Sequence, residues 1–217
     1  MTDPTQLADL RLSYQKGQLE REQLHDDPRV QFEAWLNHAL GTDLPEPYAF
    51  SLATADARGR PHVRTLLLRG IQPEGLVFYS NYDSEKGQNL AENPWAEMLF
   101  YWPLLEQQVR IHGAVQRMAA EQSTAYFHTR PRDSQLGAWA STPQTGVVAT
   151  RAAFEQRFLD LKQQYGAQQP IPRPDFWGGY VLTPERYEFW QGRPNRMHDR
   201  FRYTRTGSGW HIDRLMP

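Results

Sequence analysis

A chain of 217 residues has length for one core-bearing domain with short extensions, and can bury about 70% of its unfolded surface without covalent staples. The absence of cysteine excludes a disulfide framework and all thiol chemistry, and suits a reducing, cytoplasmic setting. Lys and Arg number 24 against 25 Asp and Glu, so the basic excess expected of a general nucleic-acid binder is missing.

Residues 1–28 are polar and charged, an arm with some helical tendency and no apolar stretch of the signal-peptide kind. The main domain is expected over residues 29–217. A helix should open it in VQFEAWLNHAL, with Val30, Phe32, Trp35, Leu36, Ala39 and Leu40 on one apolar side. After PEP (45–47) the period changes to that of strands. AFSLATA, HVRTLLLR and GLVFYSN read as a three-stranded meander, turned at DARGRP and IQPEG. DSEKGQNLAEN is a short helix capped by Asp83 or Ser84 and stopped before Pro94. AEMLFYW and QQVRIHGAVQRM form a second hairpin. Met98–Leu105 is the most apolar run and is too short to span a bilayer.

AAEQSTAYFHT is helical and closed by Arg130-Pro131. SQLGAWAS and RAAFEQRFLDLKQQYG supply further helices around the loop STPQTG. Beyond the proline-rich link QQPIPRP, the segments WGGYVLT, RYEFWQG, HDRFRYTR and WHIDRL give three or four more strands. Seven or eight antiparallel strands interrupted by helices indicate an α+β barrel, not a βαβ sheet.

The seven histidines never occur as HxH or HExxH, so no metal site is expected. GxSxG, GxxxxGK[ST] and GxGxxG are also absent. What stands out is cationic and aromatic. Positive charge gathers in YFHTRPR (126–132) and in residues 193–205, a pattern of local anion capture. Seven Trp, ten Tyr and ten Phe could serve a planar ligand as well as a core. Within EFWQGRPNRMHDRFRY (188–203), strand spacing would point Arg196, His198, Arg200 and Arg202 one way. Met197, Phe201 and Tyr203 would then pack on the other face, with Asp199 interrupting them.

RTLLLRG (64–70), GLVFYSNYDSEKG (75–87), EQQVRIHG (106–113), YFHTRPRDSQLGAWAS (126–141), WGGY (177–180), EFWQGRPNRMHDRF (188–201) and the closing IDRLMP occur in order. Together they resemble the pyridoxine 5′-phosphate oxidase family. The resemblance implies an antiparallel FMN-binding split β-barrel with surrounding helices, a homodimer with the flavin at its interface, and a C-terminal dimerisation segment over about residues 171–217. The implied reaction oxidises pyridoxine 5′-phosphate or pyridoxamine 5′-phosphate to pyridoxal 5′-phosphate, with molecular oxygen reoxidising the flavin to give hydrogen peroxide. No nucleic acid or membrane is involved.

By the same resemblance, Arg196 and His198 act on the reacting end of the substrate. Arg196 orients it and stabilises developing charge, while His198 serves hydrogen bonding and proton transfer. Tyr126, Arg130 and Ser134 take the substrate phosphate, with Arg69 and Met197 also at the substrate. Arg11 and Tyr14, in the arm, match a segment that folds over it as a lid. FMN falls to Arg64, Thr65, Leu66, Leu67, Leu68, Arg69, Tyr79, Ser80, Lys86, Gln108, Gln144, Thr145, Trp190 and Arg200.

Three positions depart from the family pattern. Arg69 stands where lysine is typical, replacing a point charge by a planar fork. Thr145 replaces a serine and keeps its hydroxyl. Glu85 stands beside Lys86 where relatives usually carry arginine, which implies a weaker hold on FMN. Two other readings are a same-fold flavin oxidase of the phenazine-pathway type and a non-catalytic split-barrel protein binding flavin or haem.

Overall fold

A computed structural model describes residues 13–217. Its helices are α1 (Pro28–Leu40), α2 (Glu85–Glu92), α3 (Ala120–Thr129), α4 (Arg132–Ala140) and α5 (Arg151–Tyr165). Its strands are β1 (Ala49–Ala55), β2 (Pro61–Leu67), β3 (Gly70–Gln72), β4 (Gly75–Asn81), β5 (Trp95–Trp102), β6 (Gln107–Arg117), β7 (Trp177–Gln191), β8 (Asp199–Arg205) and β9 (Trp210–Arg214). They hydrogen-bond in the order β2-β1-β5-β6-β7-β4-β3, with β8 also on β7 and β9 on β8.

Three strand expectations change: β4 pairs with β7 and β3 and not with β2, so AFSLATA, HVRTLLLR and GLVFYSN do not form one meander. Residues 70–72, next to the turn at IQPEG, pair with β4 as the short strand β3. WGGYVLT and RYEFWQG join into one strand, β7, despite Pro184. Its pairing with β4 ends at Leu182 and its pairing with β8 begins at Arg186. Pro184 falls between the two, where a missing N–H removes no bond from either ladder.

The chain divides into two compact units. One comprises the described residues up to Ser51 together with Met98–His112 and Glu185–Pro217. Here α1 begins at Pro28, two residues before the expected start, because Asp27 caps it by accepting from the Arg29 N–H at 2.8 Å. Phe32, Trp35, Leu36 and Ala39 are buried as expected, whereas Val30 and Leu40 are exposed. The Phe32 ring lies 4.9 Å from Phe100, and Trp35 meets Phe189 edge-on at 5.3 Å. Phe201 and Tyr203 complete this aromatic core.

The other unit comprises Leu52–Glu97 and Gly113–Pro184. Its core cluster is Phe127, Leu136, Ala138, Ile171 and Trp177, against which Phe158, Leu161 and Tyr165 of α5 pack. Ser84 caps α2, accepting from the Gly87 N–H at 3.3 Å. Gly87 is required there: a Cβ would lie 2.0 Å from the Tyr82 carbonyl oxygen.

Candidate active site

In the second unit, α3 carries Tyr126 and ends at its C-cap Arg130, β2 and the residues after it carry the RTLLLR run, and β4 carries Tyr79. They meet Trp177 around a hollow of about 260 Å³ walled by Thr65, Leu66, Leu67, Arg69, Tyr79, Tyr126, Arg130 and Trp177. The Tyr79 and Tyr126 rings stack at 3.7 Å and 12°, with Trp177 nearly parallel to both. The Arg130 guanidinium carbon sits 4.6 Å from the centre of the Trp177 ring, a cation–π contact that fixes the fork. Burial, and secondarily the charge of Arg69, lowers the Arg130 pKa, with Tyr126 opposing. Its Nη1 is buried without a hydrogen-bond partner among the described residues. A buried donor of that kind is costly unless an anion accepts from it. Trp177 carried no signal as a site residue beyond its place in WGGY, since its contact with Arg130 spans 47 positions of sequence.

Not every neighbour in sequence joins this hollow. Ser80 alternates with Tyr79 along β4 and faces away, buried, while Leu68 is buried beyond the end of β2. Ser134 is half-buried in the first turn of α4, its N–H donating to the Pro131 carbonyl at 2.8 Å. Gln144 and Thr145 line a separate hollow formed by the loop after α4, where Gln144 Oε1 is buried without a partner among the described residues.

Arg64 and Lys86 form a second cationic cluster. Arg64 Nη1 donates to Thr54 Oγ1 at 2.7 Å and to the carbonyls of Leu52 and His62, both at 3.2 Å, so one edge of its fork is fixed. Lys86, buried at the start of α2, donates to Ser84 Oγ at 3.1 Å. Burial lowers the Lys86 pKa first and the Arg64 charge second, against the opposing pull of Glu85. Glu85 lies 3.5 Å from Arg64 Nη2 and 3.2 Å from His62 Nδ1. One carboxylate shared by two largely buried cations leaves positive charge for a phosphate, so these residues fit the phosphate end of FMN.

In the first unit, the expected strand face of Arg196 and His198 is replaced by a turn. Pro194–Arg196 is a 3-10 turn in which Asn195 and Arg196 take φ of 57° and 61°, and β8 begins only at Asp199. Two consecutive left-handed residues that are not glycine store of order 1–3 kcal/mol each. They turn Arg196 out to solvent. Met197 is 68% exposed and does not pack with Phe201 and Tyr203. The dipeptides RP and PN were the turn signal that strand spacing overrode.

His198 follows the turn with its ring 4.7 Å from Trp190 and 5.7 Å from Tyr14. Its Nδ1 accepts from the Arg193 N–H at 3.0 Å, which puts the proton of the neutral ring on Nε2. Burial and then the Arg196 charge hold its pKa below the usual 6.5, with Asp199 opposing. Tyr14 is brought there by an anchored arm. Glu106 Oε2 accepts from the N–H groups of Gln15 and Lys16 at 2.8 and 2.9 Å, and Asp199 Oδ2 accepts from Leu19 at 3.1 Å. Neither carboxylate was given an anchoring role from sequence, where Asp199 stood out only as interrupting an apolar row. Arg11 lies outside the described residues.

Trp190 pairs with Arg200 across β7 and β8. Arg200 donates to Glu188 Oε1 through Nε and Nη2 at 3.0 and 2.8 Å, and to the Met216 carbonyl at 2.8 Å. Gln108 is half-buried on β6, on the face opposite Gln107.

Comparison with known structures gives the class first: this is a split β-barrel protein of the kind that includes FMN-binding members. PhzG from Burkholderia lata 383, solved in complex with tetrahydrophenazine-1-carboxylic acid, is 30% identical with a TM-score of 0.85, covering 92% of this chain and 98% of its own. A pyridoxamine 5′-phosphate oxidase-related, FMN-binding protein from Nostoc punctiforme shares the fold at a TM-score of 0.71 and 21% identity, covering 89% of this chain and 100% of its own. Residues 36–165 match the pyridoxamine 5′-phosphate oxidase family model, and residues 177–217 match the pyridoxine 5′-phosphate oxidase C-terminal dimerisation region. The chain belongs to the pyridoxamine 5′-phosphate oxidase family. Pyridoxine/pyridoxamine 5′-phosphate oxidase from Deinococcus deserti is 58% identical, covering 98% of this chain and all of its own length. That from Acinetobacter baumannii is 56% identical, covering 97% of each. No helix among the described residues is long and apolar enough to cross a membrane.

Proposed function

We propose that this chain, as a homodimer with FMN at its interface, oxidises pyridoxine 5′-phosphate and pyridoxamine 5′-phosphate to pyridoxal 5′-phosphate, with oxygen as final electron acceptor. The cysteine-free composition fits a cytoplasmic enzyme. The observation that carries the reading is the hollow in which Arg130, one buried N–H still unpartnered, stands beside Tyr126 and Arg69. Its walls combine residues matched to flavin with residues matched to substrate phosphate, as two adjoining ligands would require.

Arg130 and Arg69 supply charge for the substrate phosphate, Tyr126 and Ser134 supply hydroxyl donors, and Met197 lies beside the substrate. Arg64, Lys86, Gln144 and Thr145 hold the cofactor through its phosphate and polar groups. Thr65, Leu66, Leu67, Leu68, Tyr79, Ser80, Gln108, Trp190 and Arg200 bound its ring and chain. Bound FMN supplies the acceptor for the hydride that leaves the substrate C4′ carbon. Arg196 orients the substrate and stabilises charge as it develops. His198 holds a substrate oxygen or nitrogen through Nε2–H, while Tyr14 and Arg11 cover the site.

Oxygen consumption with added FMN tests the activity directly. Both phosphorylated vitamers should be turned over and unphosphorylated pyridoxine should not; the reverse would remove the proposal. In the same assay Arg130→Ala should raise KM about tenfold or more with kcat little changed, because a contact made before and during reaction is lost. A kcat loss at unchanged KM would put Arg130 elsewhere in the mechanism.

His198 sets an acid limb. With its pKa below 6.5, the ring is neutral at pH 7 and charges only as pH falls further. Protonation makes Nδ1 a donor facing the Arg193 N–H, and puts a second positive charge beside Arg196. kcat should therefore fall toward low pH in the wild type. His198→Asn should lower the plateau and flatten that limb. An unchanged acid limb in the variant would assign it to another group.

A further inference from the structure

Glu85 occupies an awkward place for a cofactor-phosphate site. Its carboxylate lies on the outer edge of Arg64, and its other oxygen reaches His62 Nδ1. The inner edge of the guanidinium is already committed to Thr54 and two carbonyls, so the edge facing Glu85 is the one left for an incoming phosphate. His62 and Arg64 stand two apart on β2 and share a face, while Glu85 opens α2 beside Lys86. Glu85 is half exposed, at 52%, and has room to move, whereas Arg64 is 18% exposed and does not. His62 Nε2 is buried and without a hydrogen-bond partner among the described residues, so it is the 3.2 Å ion-pair contact of Nδ1 with Glu85 that orients the ring.

Resting on the FMN reading above, we propose that Glu85 is a built-in counter-ion that competes with the cofactor phosphate for Arg64, and that His62 is the positioning residue that sets how strongly it competes. Without a ligand, the carboxylate offsets two neighbouring cations that would otherwise repel. When a phosphate arrives, the carboxylate must give up Arg64, and the His62 Nδ1–H is the group placed to retain it. The ligand class selected is a flavin bearing a phosphate, and the pair tunes how far FMN is preferred over riboflavin.

The full-length chain stripped of flavin is titrated with FMN and with riboflavin, following the quenching of flavin fluorescence. The ratio of the two dissociation constants isolates the phosphate. Glu85→Gln should tighten FMN about tenfold and leave riboflavin unchanged, since one like charge near the phosphate is removed. His62→Ala should weaken FMN several-fold, by about one positioning hydrogen bond, while Glu85 is present, and should have no effect in the Glu85→Gln background. Riboflavin affinity reports whether each variant is folded, and His62→Gln replaces His62→Ala should the latter lose it. An unmoved ratio in Glu85→Gln overturns the counter-ion role. An equal loss from His62→Ala in both backgrounds means that His62 touches the phosphate itself, and overturns the role through Glu85. A wild type that binds neither flavin removes the FMN reading and this proposal together.

Discussion

Arg196→Ala should lower kcat by about 10²–10³-fold, on the scale of losing a transition-state charge stabiliser, while the FMN dissociation constant changes by less than about twofold. Arg64→Ala should do the opposite, weakening FMN about tenfold or more and restoring turnover when FMN is supplied in excess. The contrast follows from where the two guanidiniums sit. Arg64 is held along one edge, where Nη1 donates to three acceptors, in a largely buried cluster with Lys86, and is suited to static charge capture. Arg196 stands exposed on a strained left-handed turn, closed by the Met197 N–H donating to the Pro194 carbonyl at 3.1 Å. Strain at such a position is kept where the side chain it presents has work to do. Steady-state kinetics at saturating FMN, set beside FMN titrations, separates the two. Equal losses in both measurements for both variants would end the division of labour.

Gly87→Ala should be strongly damaging to the second unit. The added carbon would lie 2.0 Å from the Tyr82 carbonyl oxygen and 2.5 Å from its carbon, and a main-chain carbonyl cannot swing aside as a side chain can. The first turn of α2 must then move, taking with it the Ser84 cap and Lys86. Overpacking of this kind costs about 3 kcal/mol. For a chain of this length that corresponds to a fall of roughly 6–12 °C in Tm. FMN affinity should fall as well, because Lys86 is displaced. Thermal melts with and without FMN check both parts. An alanine variant that melts with the wild type would show that the turn can relax.

How far these features could be read beforehand depends on the range of the interactions behind them. The apolar stripe Phe32, Trp35, Leu36 and Ala39, the cap at Ser84 and the helix end at Arg130 are set by neighbours a few residues away, and periodicity finds them. The convergence of Tyr126 and Arg130 with the RTLLLR run was reachable only through resemblance, since strand pairing and helix packing bring those segments together. Trp177 under Arg130 and Glu106 under the arm are long-range contacts with no local signature. The Arg196–His198 segment was misread for a different reason. Alternating charged and apolar residues satisfy a strand template, but Pro194 and the left-handed Asn195 impose a turn before the strand begins. The same template wrongly packed Met197 inside.

The way the arm is tethered has a consequence for its evolution. Glu106 and Asp199 grip Gln15, Lys16 and Leu19 by main-chain amides, so the latch is blind to which side chains those three positions carry. An alanine scan would register the buried Leu19 side chain and the Lys16 ammonium on the Leu104 carbonyl, but would leave these three amide bonds in place. Only a residue lacking an amide hydrogen would unfasten it, so proline is the substitution that selection should exclude from this stretch.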